Sequence, residues 1–96
     1  MALAGKIILI TGGSKGLGRS TALHFAKEGA KVVITGRNES ALDDAVSSAA
    51  ADGIELDAIA GDVSVEEDCR RTVEKVLADH GRVDVLFNLS LIHISE

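Results

Sequence analysis

"KIILITGGSKGLG", residues 6–18, sets the course of the whole chain. The run from Ile7 to Ile10 is short, aliphatic and rich in β-branching, which suits a strand buried on both faces. Glycines at 12, 13, 16 and 18 follow at once, and a helical pattern opens behind them. A buried strand, a glycine turn and a helix start in direct succession form an anion-holding context. Backbone amides in the turn can point at a phosphate, and the helix N-terminus favours negative charge. Glycine lets the backbone approach such a ligand with no Cβ in the way.

Outward from this stretch the pattern repeats. Residues 17–29, "LGRSTALHFAKEG", read as a helix with Gly18, Ala22, Phe25 and Gly29 on one face and Gly29 as its C-terminal cap. "KVVIT" (31–35) is a second strand. "ESALDDAVSSAAADG" (39–53) is a helix with Leu42, Val46 and Ala49 inward and Gly53 ending it. "ELDAIA" (55–60) is a third, weaker strand. In "SVEEDCRRTVEKVLADHG" (64–81), Ser64 and Glu67 have capping-box spacing. Cys69, Val73, Val76 and Leu77 form the expected inner stripe of that helix. "VDVLFN" (83–88) is a fourth strand. Strand and helix alternate three times before a last strand, which predicts an α/β fold: a parallel sheet with helices on its faces.

Composition narrows the function classes. Ninety-six residues suit one small domain at most. A net charge of −5 opposes binding of polyanions by the whole surface, and two Phe with no Trp or Tyr argue against a base-stacking platform, so no nucleic-acid partner is expected. No apolar run approaches the roughly 18 residues of a membrane span, and no membrane partner is expected. The start, "MALAGKIILITGG", lacks a basic n-region and a small-residue cleavage site, so no signal peptide is read. The single cysteine, Cys69, cannot form an internal disulfide and agrees with a reducing, cytoplasmic compartment. His24, His80 and His93 are far apart and near no Cys or acidic cluster with ligand spacing, so no metal site is expected.

The glycine spacing discriminates further. Gly12, Gly16 and Gly18 form T-G-x-x-x-G-x-G. A G-x-G-x-x-G reading from Gly16 fails at Thr21, and no G-K-[ST] follows to make a Walker loop. With this spacing the chain resembles the short-chain dehydrogenase/reductase family from Lys6 to Asn88. "TGGSKGLG" has the form of the family's ordinary branch; the extended branch would carry glycine at the position of Lys15. The resemblance implies a truncated Rossmann-type parallel sheet of about four strands, in the order 3-2-1-4, with helices on both faces. It also implies a dinucleotide cofactor held by Thr11, Gly12, Ser14, Lys15, Gly16, Leu17 and Gly18.

The end of the second strand bears on which dinucleotide. NAD-binding enzymes place an acid there for the ribose hydroxyls. Here "ITGRN" puts Gly36 at that position and Arg37 after it. Arg37 would pair with the 2′-phosphate of NADP, and Lys15 is the other basic position that the resemblance associates with NADP. If each charge adds about 1–1.5 kcal/mol, NADP (as NADPH) is preferred over NAD by about 30- to 150-fold. In the "GDV" at 61–63, the resemblance puts Asp62 and Val63 beside the adenine; the local reading of Asp62 is an Asx-turn before the helix, and the two are compatible. Asn88 matches the first residue of the family's N-N-A-G signature, on the cofactor edge.

The sequence departs from the family at Leu89. The resemblance implies a catalytic serine and a Tyr-x-x-x-Lys pair further along, and these 96 residues contain no tyrosine. The expectation is therefore residues 1–88 as the N-terminal part of a nucleotide-binding domain, with no catalytic residue, followed by a non-native tail at 89–96. "LSLIHISE" agrees at all eight positions with the in-frame translation of a common transposase-type sequencing adapter. The parent would be an NADP-preferring oxidoreductase acting on a small carbonyl or alcohol, akin to 3-oxoacyl-acyl-carrier-protein reductases, and a homo-oligomer. The alternative is a non-catalytic dinucleotide-binding or regulatory module.

Overall fold

The computed structural model describes residues 3–12, 16–62 and 64–88. The elements run β1 (Ile7–Thr11), α1 (Gly16–Lys27), β2 (Lys31–Gly36), α2 (Glu39–Ala51), β3 (Leu56–Ala60), α3 (Glu66–His80) and β4 (Val85–Asn88). The strands form one sheet in the order β3-β2-β1-β4, and every neighbouring pair is parallel. This is the truncated Rossmann-type order expected from the resemblance. The tail at 89–96, with the boundary placed after Asn88, lies outside the described residues, as do Ser14, Lys15 and Val63.

Alternation along the strands divides two cores. Ile8 and Ile10 of β1, Val32 and Ile34 of β2 and Leu56 of β3 pack with Ala22 of α1 and Leu42, Ala45 and Ala49 of α2. Ile7, Leu9 and Val33 point the other way and meet Val76 of α3. Both faces of β1 and β2 are thus covered, which is why these strands read as unbroken apolar runs and not as alternating ones. Full burial of each large aliphatic side chain stabilises the fold by about 1.5–3 kcal/mol.

The helix ends follow local chemistry. Gly29 and Gly53 take positive φ (98° and 76°) just past α1 and α2, and Gly81 (84°) caps α3, its amide donating to Leu77 O at 2.8 Å. Asn38, which the sequence reading passed over, is the N-cap of α2: its Oδ1 accepts from Ala41 N at 3.0 Å.

Two expectations for α3 are corrected. The Ser64–Glu67 capping box does not form. The Ser64 hydroxyl and amide both donate to Asp62 Oδ1 (2.7 and 2.9 Å), and Glu67 pairs with Arg70 at 3.2 Å. Capturing Ser64 in this turn delays the helix start to Glu66, with Val65 as an N-cap that offers no side-chain bond. The inner stripe also differs. Thr72 and Val76 are buried and Cys69 is half-buried, whereas Val73 and Leu77 are 40% and 45% exposed. Residues 69, 72, 76 and 80 keep the helical period, so Val73 and Leu77 fall about 100° round the axis from their neighbours, at the margin of the contact with the sheet.

Candidate functional site

All the candidate binding residues that the structure describes lie at the C-terminal ends of the parallel strands or in the segments that follow them. Thr11 ends β1 and sits opposite Asn88, the last residue of β4. The Thr11 hydroxyl donates to Asn88 Oδ1 at 2.8 Å. Gly12 turns the chain out of the sheet with φ of 77°, and its amide donates to Thr35 O of β2 at 2.9 Å. Two strands therefore grip the base of the glycine turn.

Gly16 opens α1 with φ of 62°, and a Cβ there would meet none of the described residues within 4 Å. Its glycine is thus demanded by backbone conformation and not by crowding from the described residues, which leave space over the helix mouth. Gly18 is buried two residues further in, while Leu17 is 66% exposed. The first turn of α1 carries no acidic residue, so the positive end of its dipole is not neutralised there. The first turn of α3 carries Glu66, Glu67 and Asp68, and that of α2 carries Glu39. Among the described helices, α1 alone presents an uncompensated N-terminus.

Arg37 follows β2 and is exposed. Asp62 follows β3 after Gly61, whose amide donates to Gly36 O at 2.9 Å. The Ser64 hydroxyl and amide hold the Asp62 carboxyl below the usual carboxylate range, with a smaller contribution from the Arg37 charge. Asp62 therefore stays an anionic acceptor at neutral pH. Its own amide donates to Asp68 Oδ2 of α3 at 2.8 Å.

Thr11, Thr35, Gly61, Asp62 and Asn88 line one cleft of about 130 Å³ between α3 and the sheet. Its remaining walls include Leu9, Cys69, Val73 and Leu86, a mostly apolar surround with a few polar groups. The structure thus brings Thr11, Asp62 and Asn88 together. Ser14, Lys15 and Val63 fall outside the described residues. Thr35 was missed in the sequence: it is 2% exposed, and its Oγ1 is buried with no hydrogen-bond partner among the described residues. A threonine in a β-branched run gives no local sign of that. No group of three or more His, Cys, Asp or Glu suited to a metal occurs among the described residues.

Comparison with known proteins extends this picture. The sequence model of the short chain dehydrogenase family matches residues 6–93, a span that runs past Asn88 into the tail. The chain is 43% identical over 84 residues to a peroxisomal 2,4-dienoyl-CoA reductase of Arabidopsis thaliana, covering 88% of this chain and 28% of that protein. It is 39% identical over 88 residues to a 3-oxoacyl-acyl-carrier-protein reductase of Thermotoga maritima, covering 92% of this chain and 36% of that one. The crystal structure of a metagenomic short-chain oxidoreductase in complex with NADP superposes with a TM-score of 0.82 at 35% identity, covering 90% of this chain and 39% of that one. The chain spans about a third of the length of the curated relatives it matches.

Proposed function

The chain belongs to the short chain dehydrogenase family, and on that premise we propose that its residues form the nucleotide-holding part of an oxidoreductase that prefers NADP to NAD. The whole protein would move a hydride between the nicotinamide and a small carbonyl or alcohol. The observation that carries the reading is the mouth of α1: a positive-φ glycine with open space above it and no carboxylate in the first turn. That arrangement fits a diphosphate.

When bound, the dinucleotide supplies the hydride chemistry. The chain's own residues bind and orient it. Thr11 and Gly12, tied to the neighbouring strands, would form the floor of the site, and Ser14, Gly16, Leu17 and Gly18 would offer backbone amides and the helix dipole to the diphosphate. Lys15 and the exposed Arg37 would pair with a ribose 2′-phosphate, where a carboxylate on Gly36 would instead repel it. Asp62, kept ionised by Ser64, would accept from the adenine amine, with Val63 and Asn88 beside it. These 96 residues contain no tyrosine, so the proton donor that carbonyl reduction needs is not among them. A catalytic serine and Tyr-x-x-x-Lys pair elsewhere in the parent would supply it, and the chain by itself would bind without turnover.

Calorimetric titration of this chain with NADPH and NADH tests the reading. Binding of NADPH at least tenfold tighter than NADH supports it. Equal affinities would remove the NADP preference, and no binding of either would remove the site.

A further inference from the structure

The two faces of the sheet are held very differently. On the α1 and α2 side, ten buried residues form one apolar cluster. On the α3 side the cluster has four, of which α3 supplies only Val76. Thr72 is the other buried residue of this fifteen-residue helix. A helix so lightly packed relies on other attachments, and three polar ones tie it to β3 and the segment after β3. At its start, Asp68 Oδ2 accepts from Asp62 N at 2.8 Å. In its second turn, Arg71 Nη2 donates to Ala60 O at 3.4 Å. At its end, His80 Nε2–H donates to Asp57 Oδ2 of β3 at 3.1 Å. The His80 side chain is 17% exposed and that of Asp57 52%.

We infer that α3 opens from the sheet as a separate cooperative unit, held shut at its C-terminal end by the His80–Asp57 clasp and at its N-terminal end by the Asp68–Asp62 bond. Regions with few buried apolar contacts open at lower free energy than the core and do so as contiguous units. The α3 helix is such a region, while β1, β2, α1 and α2 share the larger cluster and would stay closed. Opening would uncover Leu9 and Thr35, on the sheet side of the cleft, and Val33, which packs with Val76. This conformational device does not depend on which ligand the cleft takes.

Amide hydrogen exchange on the 96-residue chain, resolved by element, tests it without any ligand. Amides of residues 66–80 should exchange through an opening that leaves β1, β2, α1 and α2 protected. His80→Ala and Asp57→Ala should each raise exchange in α3 by about two- to fivefold, the range for a partly exposed side-chain pair. The double variant should go no further than either single one, because both remove the same contact. Three results would each overturn the inference: α3 exchanging at the rate of β1 and β2, the variants accelerating all elements together, or the variants leaving α3 unchanged.

Discussion

The Thr11 hydroxyl and the Asn88 side chain meet at 2.8 Å across the β1–β4 pair, although 77 residues separate them. Among the described residues, this bond closes the only strand pairing that β4 makes. Thr11→Val keeps the shape and removes the donor. Loss of a partly buried hydrogen bond costs about 1 kcal/mol, which for a domain of this size lowers the melting temperature by about 4–8 °C. Thermal unfolding followed by circular dichroism measures this. An unchanged midpoint would show that the bond contributes nothing to holding β4.

Thr35 calls for the opposite outcome. Its Oγ1 is buried without a hydrogen-bond partner among the described residues, so its desolvation is not offset. Thr35→Val replaces the hydroxyl with a methyl of similar volume and should raise stability by about 1 kcal/mol. Urea unfolding midpoints of the two chains decide it, and a lower midpoint for the variant would mean that the hydroxyl is satisfied in solution.

Asp84 sets an acid limit. Its Oδ2 accepts from Ile7 N at 2.8 Å and from Arg82 Nε at 2.9 Å, and these bonds, the Ile7 amide first, hold its carboxyl below the usual range. A depressed folded-state value means that the contribution is complete above the ordinary carboxylate pKa of about 3.9 and is lost as pH falls through the lower folded value. Asp84→Asn should therefore reduce stability at pH 7 and narrow the difference from the parent chain at pH 3. Asp62 shares the direction of shift, so the parent keeps some acid sensitivity after the substitution.

Arg37→Ala should weaken NADPH binding by about 5- to 12-fold, the equivalent of 1–1.5 kcal/mol for one screened charge. NADH, with no 2′-phosphate, should bind the variant and the parent alike. Fluorescence titration with both nucleotides separates the cases: an equal loss for both would make Arg37 a general contributor and not a selector.

Leu86 lies on β4, the edge strand of the sheet among the described residues, and is 57% exposed. An apolar side chain on an open edge favours strand-to-strand association. Leu86→Lys should slow concentration-dependent light scattering while leaving the far-ultraviolet spectrum unchanged. Scattering that persists at the parent's rate would place the sticky surface elsewhere, with Val73 and Leu77 of α3 the next residues to change.

Much of this molecule is written locally. The buried runs of β1 and β2, the glycine turn at 12–18 and the glycines that end each helix could be read from residue type and period alone. Backbone conformation and solvent partition act within a few residues, so the sequence by itself determined the order of elements, the parallel sheet and the place of the glycine turn. Only the tertiary structure decided which residues meet. The Thr11–Asn88 bond, the grip of Asp84 on Ile7 and the stranded Thr35 hydroxyl all depend on the register of strands that lie far apart in the chain. The true inner face of α3 does so as well: its apolar residues fit two adjacent stripes, and only docking against β1 and β2 selects Thr72 and Val76 over Val73 and Leu77.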